Sequence, residues 1–276
     1  MIITGSNTGL GLEAARLLIV LNAAKVILAV RGLSKGEAAA ASIINNSKDQ
    51  KIDPNRLEVW PLDMSSPNSI RSFANRASHL PRLDAATLNA GICASKWTEI
   101  DGTESHLAVN TIGTTLLELL LLPVLQRSAA HTGLRGRMTI VESDMMYMVK
   151  PAELPPTDDS KSILDRLNTP SALPAGNYYP YSKWLIYQAS RRIALENPVS
   201  AEKSGVILSV QTPGACKSTL FREEDRRLLE RVVSWILFAV LARSTEAGAR
   251  TLVHAVVHGL EVEAHGSFLM DCRIME

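Results

Sequence analysis

Short apolar runs and amphipathic stretches alternate through the first third of this chain, and few folds accommodate that rhythm. "MIIT", "KVILAV", "LEVWPLD" and "LDAATLNAG" have the length of strands, and between them Leu12 to Asn22, Lys35 to Ile44 and Ser69 to Ser78 carry the spacing of helices. Apolar strands separated by helices describe β-α-β units, in which a parallel sheet is buried on both faces. Further strands are expected at "RMTIVES", "GVILSVQTPG" and "GSFLMD", with long helices at about 103–129, 179–197 and 244–258. No repeat or linker divides the chain, so residues 1–276 are expected to form a single α/β domain. The first strand looks curtailed, either trimmed at its edge or completed by residues upstream of Met1. A proline-rich excursion at about 145–178 interrupts the pattern, and loops of that length in a compact domain are usually functional or disordered.

Composition narrows the function classes. The chain has 276 residues, 46% of them apolar, which is enough to bury a core without metal or disulfides. Basic and acidic residues balance at 29 against 28, so no basic excess points to nucleic acid. Cys93, Cys216 and Cys272 are far apart and outside any CxxC pair, which suits free thiols in a reducing compartment and makes a metal site unexpected. "MIITGSNTGLG" has no basic segment followed by a long apolar run, so a cytoplasmic protein is expected. The apolar stretches "LLELLLLPVL" and "VVSWILFAVLA" each fall short of the roughly 20 residues that span a membrane, so no spanning segment is expected.

At the first strand-to-helix junction, "TGSNTGLG" places Gly5, Gly9 and Gly11. Glycines there let backbone N–H groups approach a pyrophosphate, which the helix N-terminus favours through its partial positive charge. The plainer alternative is a tight turn with no ligand. At the end of the second strand an NAD site usually carries a carboxylate for the ribose hydroxyls. This chain has Arg31 there and Lys35 beyond it, cations suited to a 2′-phosphate, so NADP(H) is favoured; alternatively both merely decorate an exposed strand end.

Together with Asp63 in "PLDMSS", "NAG" at 89–91, Asn110 in "AVNTIG", Ser143 in "IVESD", "YPYSK" at 179–183 and "TPG" at 212–214, these segments resemble the short-chain dehydrogenase/reductase superfamily. "GSNTGLG", "AVRGLSKGEAAA" and "STEAGARTLVHA" look most like its branch of retinol-dehydrogenase-like and fungal secondary-metabolism reductases. The resemblance implies a Rossmann-type, doubly wound sheet, usually of seven parallel strands, with helices on both faces. It also implies nicotinamide-dependent carbonyl reduction or alcohol oxidation. It carries over Gly5, Asn7, Thr8, Gly9, Leu10 and Gly11 to the cofactor, with Arg31 and Lys35 at its ribose phosphate. Asp63 would meet the adenine, Met64 the cofactor beside it, Asn89, Ala90 and Gly91 pass close to the cofactor, and Thr212, Pro213 and Gly214 flank the nicotinamide, with Thr219 a later phosphate contact. Capping of the following helix is the plain alternative for Asp63.

Family catalysis uses a Tyr and a Lys four apart on one helix, neighbours on one face. Of the three tyrosines in "NYYPYSKW", only Tyr179 stands four before Lys183; Tyr178 and Tyr181 are left to wall the pocket or pack. Pro180 is expected at the first helical position, leaving Tyr179 at the helix entrance. A free tyrosine, with a pKa of about 10, needs a nearby ammonium to favour its phenolate, and Lys183 is expected to supply it while holding the nicotinamide ribose. Ser143 would donate to the substrate oxygen, and Asn110 would hold a water for proton relay. Tyr179 is then the acid in reduction and the base in oxidation. Singly, Ser143 as a turn former and Asn110 as a helix kink are the plainer readings; the assembled set favours catalysis.

Ser143 and Tyr179 are 36 residues apart, and the excursion between them offers one wall for a substrate pocket. A lid-like helical region at about 215–243, with Trp235 and Phe238, offers another and favours a bulky, poorly water-soluble substrate; with the resemblance, a small-molecule hydrophobic, polyketide-like carbonyl or alcohol is expected. Core packing, a subunit interface or membrane-surface contact are rival roles for it. His254 and His258 share a helix face without a third ligand, and "REEDRRLLER" reads as a solvated helix face. A homodimer or homotetramer through the helices at about 103–129 and 179–197 is a family expectation. The competing functional readings are a catalytically silent NADP(H)-sensing protein, and the same scaffold catalysing double-bond reduction or dehydration.

Overall fold

The structure, a computed structural model, describes residues 1–46, 52–150, 152, 154, 160–174, 176–199, 205–217, 242–257 and 262–275. The strands are β1 (Ile2–Thr4), β2 (Val26–Val30), β3 (Leu57–Pro61), β4 (Ala85–Leu88), β5 (Glu99–Ile100), β6 (Thr103–Glu104), β7 (Gly136–Val141), β8 (Val206–Thr212), β9 (Phe268–Met270) and β10 (Arg273–Met275). Eight of them form one sheet in the order β10-β9-β8-β7-β4-β1-β2-β3, while β5 and β6 pair separately. Every pairing in the large sheet is parallel except β10 on β9. All seven strands expected from the sequence are therefore parallel members of it, and β10 is an addition. β9 turns into β10 through Asp271 and Cys272, both with positive φ, the backbone that a two-residue hairpin requires.

Burial explains the strand composition. All five residues of β2 and all seven of β8 are buried, because helices cover both faces. On one face α1 (Gly9–Val20), α2 (Leu33–Asn46) and a late helix, α7 (Thr245–Val256), bury Leu18, Ile43 and Leu252 against Ile3, Leu28 and Val30. On the other, α3 (Pro67–Ser78), α4 (Thr114–Thr132) and α6 (Tyr178–Glu196) bury Phe73, Leu117 and Ile186 against Ile2, Ile27 and Ile140. Adjacent residues such as Ile2 and Ile3 thus serve opposite cores, as the period of two demands. Each buried Leu, Ile or Phe side chain contributes about 1.5–3 kcal/mol. Side-chain caps set the helix starts: Ser66 accepts from the Ser69 N–H at 3.3 Å with Pro67 at the first position, and Ser244 accepts from the Ala247 N–H at 3.0 Å.

The helix expected from about residue 103 begins later, since Thr103 and Glu104 belong to β6. Helical structure starts at Ser105, runs as π-helix over Leu107–Gly113 and continues as α4. This 26-residue stretch, Leu107–Thr132, is long and apolar enough to cross a membrane, with mean hydropathy 1.7 over its most apolar window. Two thirds of that window is buried within the fold, where Val109, Leu117, Leu121 and Leu125 join the core. Its apolar surface is accounted for by core packing.

The proline-rich excursion holds a short helix, α5 (Ile163–Leu167), started by a reciprocal Ser162–Asp165 capping box. It is tied to the head of α6, where the Tyr178 hydroxyl donates to the Thr169 carbonyl at 2.6 Å and the Tyr181 hydroxyl to the Lys150 carbonyl at 2.9 Å. Both rings pack with Leu107, Leu167 and Leu173. Two of the three clustered tyrosines therefore anchor the excursion. Most of the lid-like region at about 215–243, with Thr219, Trp235 and Phe238, lies outside the described residues, as does His258.

Candidate active site

The chain runs from β1 outward to β2 and β3, then returns to place β4 on the other side of β1. That reversal opens a crevice at the C-terminal ends of β1 and β4, the place where such sheets bind ligands. Gly5 leaves β1 with φ +64 and its N–H on the Ala29 carbonyl at 2.9 Å; Gly9 follows with φ +58. A Cβ on Gly11 would lie 2.6 Å from Asn89 Nδ2 and 2.7 Å from the Gly5 carbonyl, so α1 starts this close to the strand only with glycine there. Thr8 makes no side-chain cap, and no acidic residue occupies the first turn of α1. The first-turn N–H groups and the helix dipole suit an anion such as a pyrophosphate.

The other wall is locked to this loop by a residue not singled out from the sequence. The buried Thr4 hydroxyl accepts from the N–H groups of Asn89 at 2.9 Å and Ala90 at 2.8 Å, while Asn89 Nδ2 donates to the Thr4 carbonyl at 2.9 Å. Arg31 and Lys35 are exposed at the C-terminal end of β2 and the start of α2. Asp63 turns its Oδ1 to the Ser65 N–H (2.9 Å) and hydroxyl (2.6 Å), shaping the turn into α3. The cap of α3 itself is Ser66. The Met64 carbonyl would meet a Cβ on Gly113 at 2.3 Å, so close approach of the helix to this turn requires that glycine.

The chemistry-bearing groups gather at the end of β7. Asn110, Glu142, Tyr179 and Lys183 are 2%, 3%, 4% and 7% exposed. Lys183 Nζ donates to the Val141 carbonyl at 2.7 Å and stands 5.8 Å from the centroid of the Tyr179 ring. Two residues past Val141, Ser143 is half-buried and its side chain is hydrogen-bonded to Tyr179. Ser143, Tyr179 and Lys183 therefore meet at the end of β7. The geometry of α6 differs in detail: Tyr178 is its first residue, so Pro180 is third rather than first. Proline is tolerated there because the first four N–H groups of a helix have no intrahelical partner.

Asn110 lies in the π-helical turns, which occur often at functional sites. Its Oδ1 accepts from the Ile92 N–H and its Nδ2 donates to the Ile92 carbonyl, each at 2.9 Å, and Nδ2 also reaches Ser182 Oγ at 3.0 Å. A Cβ on Gly91 would stand 3.2 Å from Asn110 Oδ1 and 3.9 Å from Lys183 Nζ, so both groups flank Gly91. The buried His106 ring lies edge-on to Tyr179, with centroids 6.2 Å apart. Its Nε2 accepts from the Ala94 N–H at 2.8 Å, which leaves the proton on Nδ1 to bond Glu104 at 2.7 Å. At the far rim, the Gly214 N–H donates to Thr212 Oγ1 at 3.1 Å, and Gly214 follows Pro213 with φ +71.

Electrostatics modify one expectation. Burial, reinforced by Glu142 and Cys93, pushes the Tyr179 phenol far above its usual pKa, with the Ser143 hydrogen bond opposing the rise. Burial lowers Lys183, against the pull of Glu142 and Cys93. Burial also raises Glu142 to about 8, moderated by Lys183 and the Ser143 N–H. The phenolate is therefore not the favoured form here, because burial outweighs the Ser143 hydrogen bond that opposes it, and the Lys183 ammonium is committed to the Val141 carbonyl. Sequence reasoning missed Glu142; a carboxylate inside the apolar run "MTIVES" was its only signal.

A family model described as short chain dehydrogenase matches residues 1–145. The chain belongs to the short chain dehydrogenase family. The short chain dehydrogenase atnD of Emericella nidulans is 38% identical over 98% of this chain and 83% of its own length. The short chain dehydrogenase/reductase dmxR8 of Cryptosporiopsis sp. is 37% identical over 99% and 81%. Both relatives are fungal, the branch to which the sequence wording pointed. Among solved structures, a short-chain dehydrogenase from Sphingobium yanoikuyae in complex with NADPH has a TM-score of 0.63 at 16% identity, covering 91% of this chain and 81% of that one. This short-chain dehydrogenase thus shares the Rossmann-type fold and oxidoreductase class of its family, whose fold binds a nicotinamide cofactor.

Proposed function

We propose that this short-chain dehydrogenase is an NADP(H)-dependent reductase of a carbonyl group on a hydrophobic, polyketide-like metabolite. The observation that carries the reading is the hydrogen-bonded Ser143–Tyr179 pair beside Lys183, at the mouth of a crevice whose glycine loop suits a pyrophosphate. Gly5, Gly9 and Gly11 would admit the pyrophosphate, Arg31 and Lys35 a 2′-phosphate, and Lys183 the ribose hydroxyls. When bound, the nicotinamide supplies the hydride. Ser143 donates a hydrogen bond to the carbonyl oxygen and stabilises the negative charge that develops there. Tyr179, held protonated by burial, gives that oxygen its proton. Asn110 fixes Ile92, and with it the backbone after Gly91, at the edge of the crevice.

Consumption of NADPH with a panel of hydrophobic ketones, followed by product analysis, tests the proposal. Tyr179→Phe should lower kcat/KM by about 10²–10⁴-fold. Equal turnover by the variant would sink the mechanism. Tight NADPH binding without turnover would support the silent binding protein, and a saturated or dehydrated product would move the reaction to another class.

A further inference from the structure

Three ionisable side chains are sealed together at the end of β7, and the mechanism above uses two of them. Glu142 is the third. It stands between Val141, whose carbonyl holds Lys183, and Ser143, whose side chain is bonded to Tyr179. Its backbone is fixed by donation from Glu142 N–H to the Gln211 carbonyl at 2.7 Å. Its Oε2 accepts from the Ser143 N–H at 2.6 Å, while Oε1 is buried with no hydrogen-bond partner among the described residues. An unpartnered carboxylate oxygen in an apolar interior is unfavourable, and a strand end this well packed needs no glutamate for its fold.

Lys183 of α6 and the Ser143 N–H act on Glu142 directly; Tyr179 feels Glu142 together with Cys93 from the segment after β4 and Asp144, and Lys183 feels Glu142 and Cys93. From β8 the Gln211 carbonyl accepts from the Glu142 N–H. Lys183 is the one cation in this set. With the carboxyl and the phenol protonated, the buried trio carries one positive charge. Loss of one proton from Glu142 makes it neutral, and loss of a second would leave a net negative charge in a medium that solvates it poorly. Without the carboxyl, that first proton has to come from the phenol or the ammonium.

We propose that Glu142 is a positioning residue for the catalytic proton: it supplies the counter-charge to Lys183 and gives up its proton before Tyr179 does as pH rises, so that Tyr179 keeps its own. The consequence for catalysis rests on the reading of Tyr179 as proton donor, and it is that reduction persists into the alkaline range. The titration order stands independently of that reading.

The test uses the cofactor-free protein labelled with ¹³Cζ-tyrosine and ¹³Cδ-glutamate, titrated by NMR, with Tyr179→Phe and Glu142→Gln assigning the signals. In the parent, Glu142 should titrate well above the ordinary carboxylate range and before Tyr179. In Glu142→Gln, the Tyr179 transition should fall by about one to three pH units, and the alkaline limb of NADPH-dependent reduction should move down with it. Glu142→Asp should restore the parent behaviour. A Tyr179 transition unmoved in Glu142→Gln overturns the proposal, and so does a parent in which Tyr179 ionises first, a measurement that survives if the variant does not fold. Absence of any turnover would count against the reductase reading alone, whereas an active enzyme with an unmoved Tyr179 would remove this inference and leave the reductase intact.

Discussion

The side chain of Asn110 closes two hydrogen bonds on the backbone of a single residue, Ile92, accepting from its N–H and donating to its carbonyl at 2.9 Å each. The amide thereby acts as one more strand residue, extending order past the end of β4 to the segment beside Gly91. Asn110→Ala would leave both backbone groups and Ser182 Oγ without these partners in a part-buried place. Unsatisfied buried groups cost about 1–3 kcal/mol each. The expected outcome is a loss of about 2 kcal/mol, read in a thermal melt as a fall of roughly 4–8 °C. An unchanged melt would mean that the Asn110–Ile92 clasp contributes nothing to the fold.

Gly11 faces a different constraint, steric rather than polar. A methyl group there would press on the Gly5 carbonyl and Asn89 Nδ2, at 2.7 and 2.6 Å. The carbonyl is backbone and cannot swing aside, so Gly11→Ala should destabilise by about 1–3 kcal/mol and weaken NADPH binding in a fluorescence titration. Gly32, where an added Cβ meets nothing within 4 Å, is the control. Gly32→Ala should stay within about 0.5 kcal/mol of the parent.

How far the sequence disclosed these relations depends on the range of the interaction. Strand order of burial and the Tyr179–Lys183 pair were legible because period and helical spacing are local properties, and α6 brings positions four apart together whatever surrounds it. The hairpin of β5 and β6 was also legible in principle, for Asp101–Gly102 is a strong two-residue turn signal, but its strands are too short to show alternation. The π-helical start before α4 was not legible. It follows from tertiary partners, Ile92 and Ser182 on Asn110 and the Met64 carbonyl against Gly113, which no local pattern encodes. Glu142 escaped notice for the same reason: its meaning lies in Lys183, 41 positions away in the chain.

Cofactor choice should turn on Arg31. Its exposed guanidinium ends β2 with no carboxylate beside it in "AVRGLSK", and a bidentate contact to a 2′-phosphate is worth about 1.5–3 kcal/mol. Arg31→Glu should lower kcat/KM with NADPH by about 10- to 100-fold and leave NADH equal or better. Steady-state comparison of the two cofactors decides it; a parallel loss with both would place Arg31 outside phosphate recognition.

Glu118 offers a prediction about stability alone. It lies buried on α4, where Oε2 accepts from Ser190 Oγ of α6 at 2.8 Å and Oε1 has no hydrogen-bond partner among the described residues. Burial raises its carboxyl to about 7, with the Ser190 bond opposing the rise. In the unfolded chain the same group ionises near its ordinary value of 4.5. Between those two values the folded state holds a proton that the unfolded state has released, so stability falls as pH rises through this window. The loss is of the order of 3 kcal/mol across it. Glu118→Gln keeps an acceptor for Ser190 and cannot ionise, so it should match the parent near pH 4.5 and exceed its stability at pH 8. Urea unfolding at a series of pH values measures this; parallel curves for parent and variant would show that Glu118 is already ionised in the folded protein.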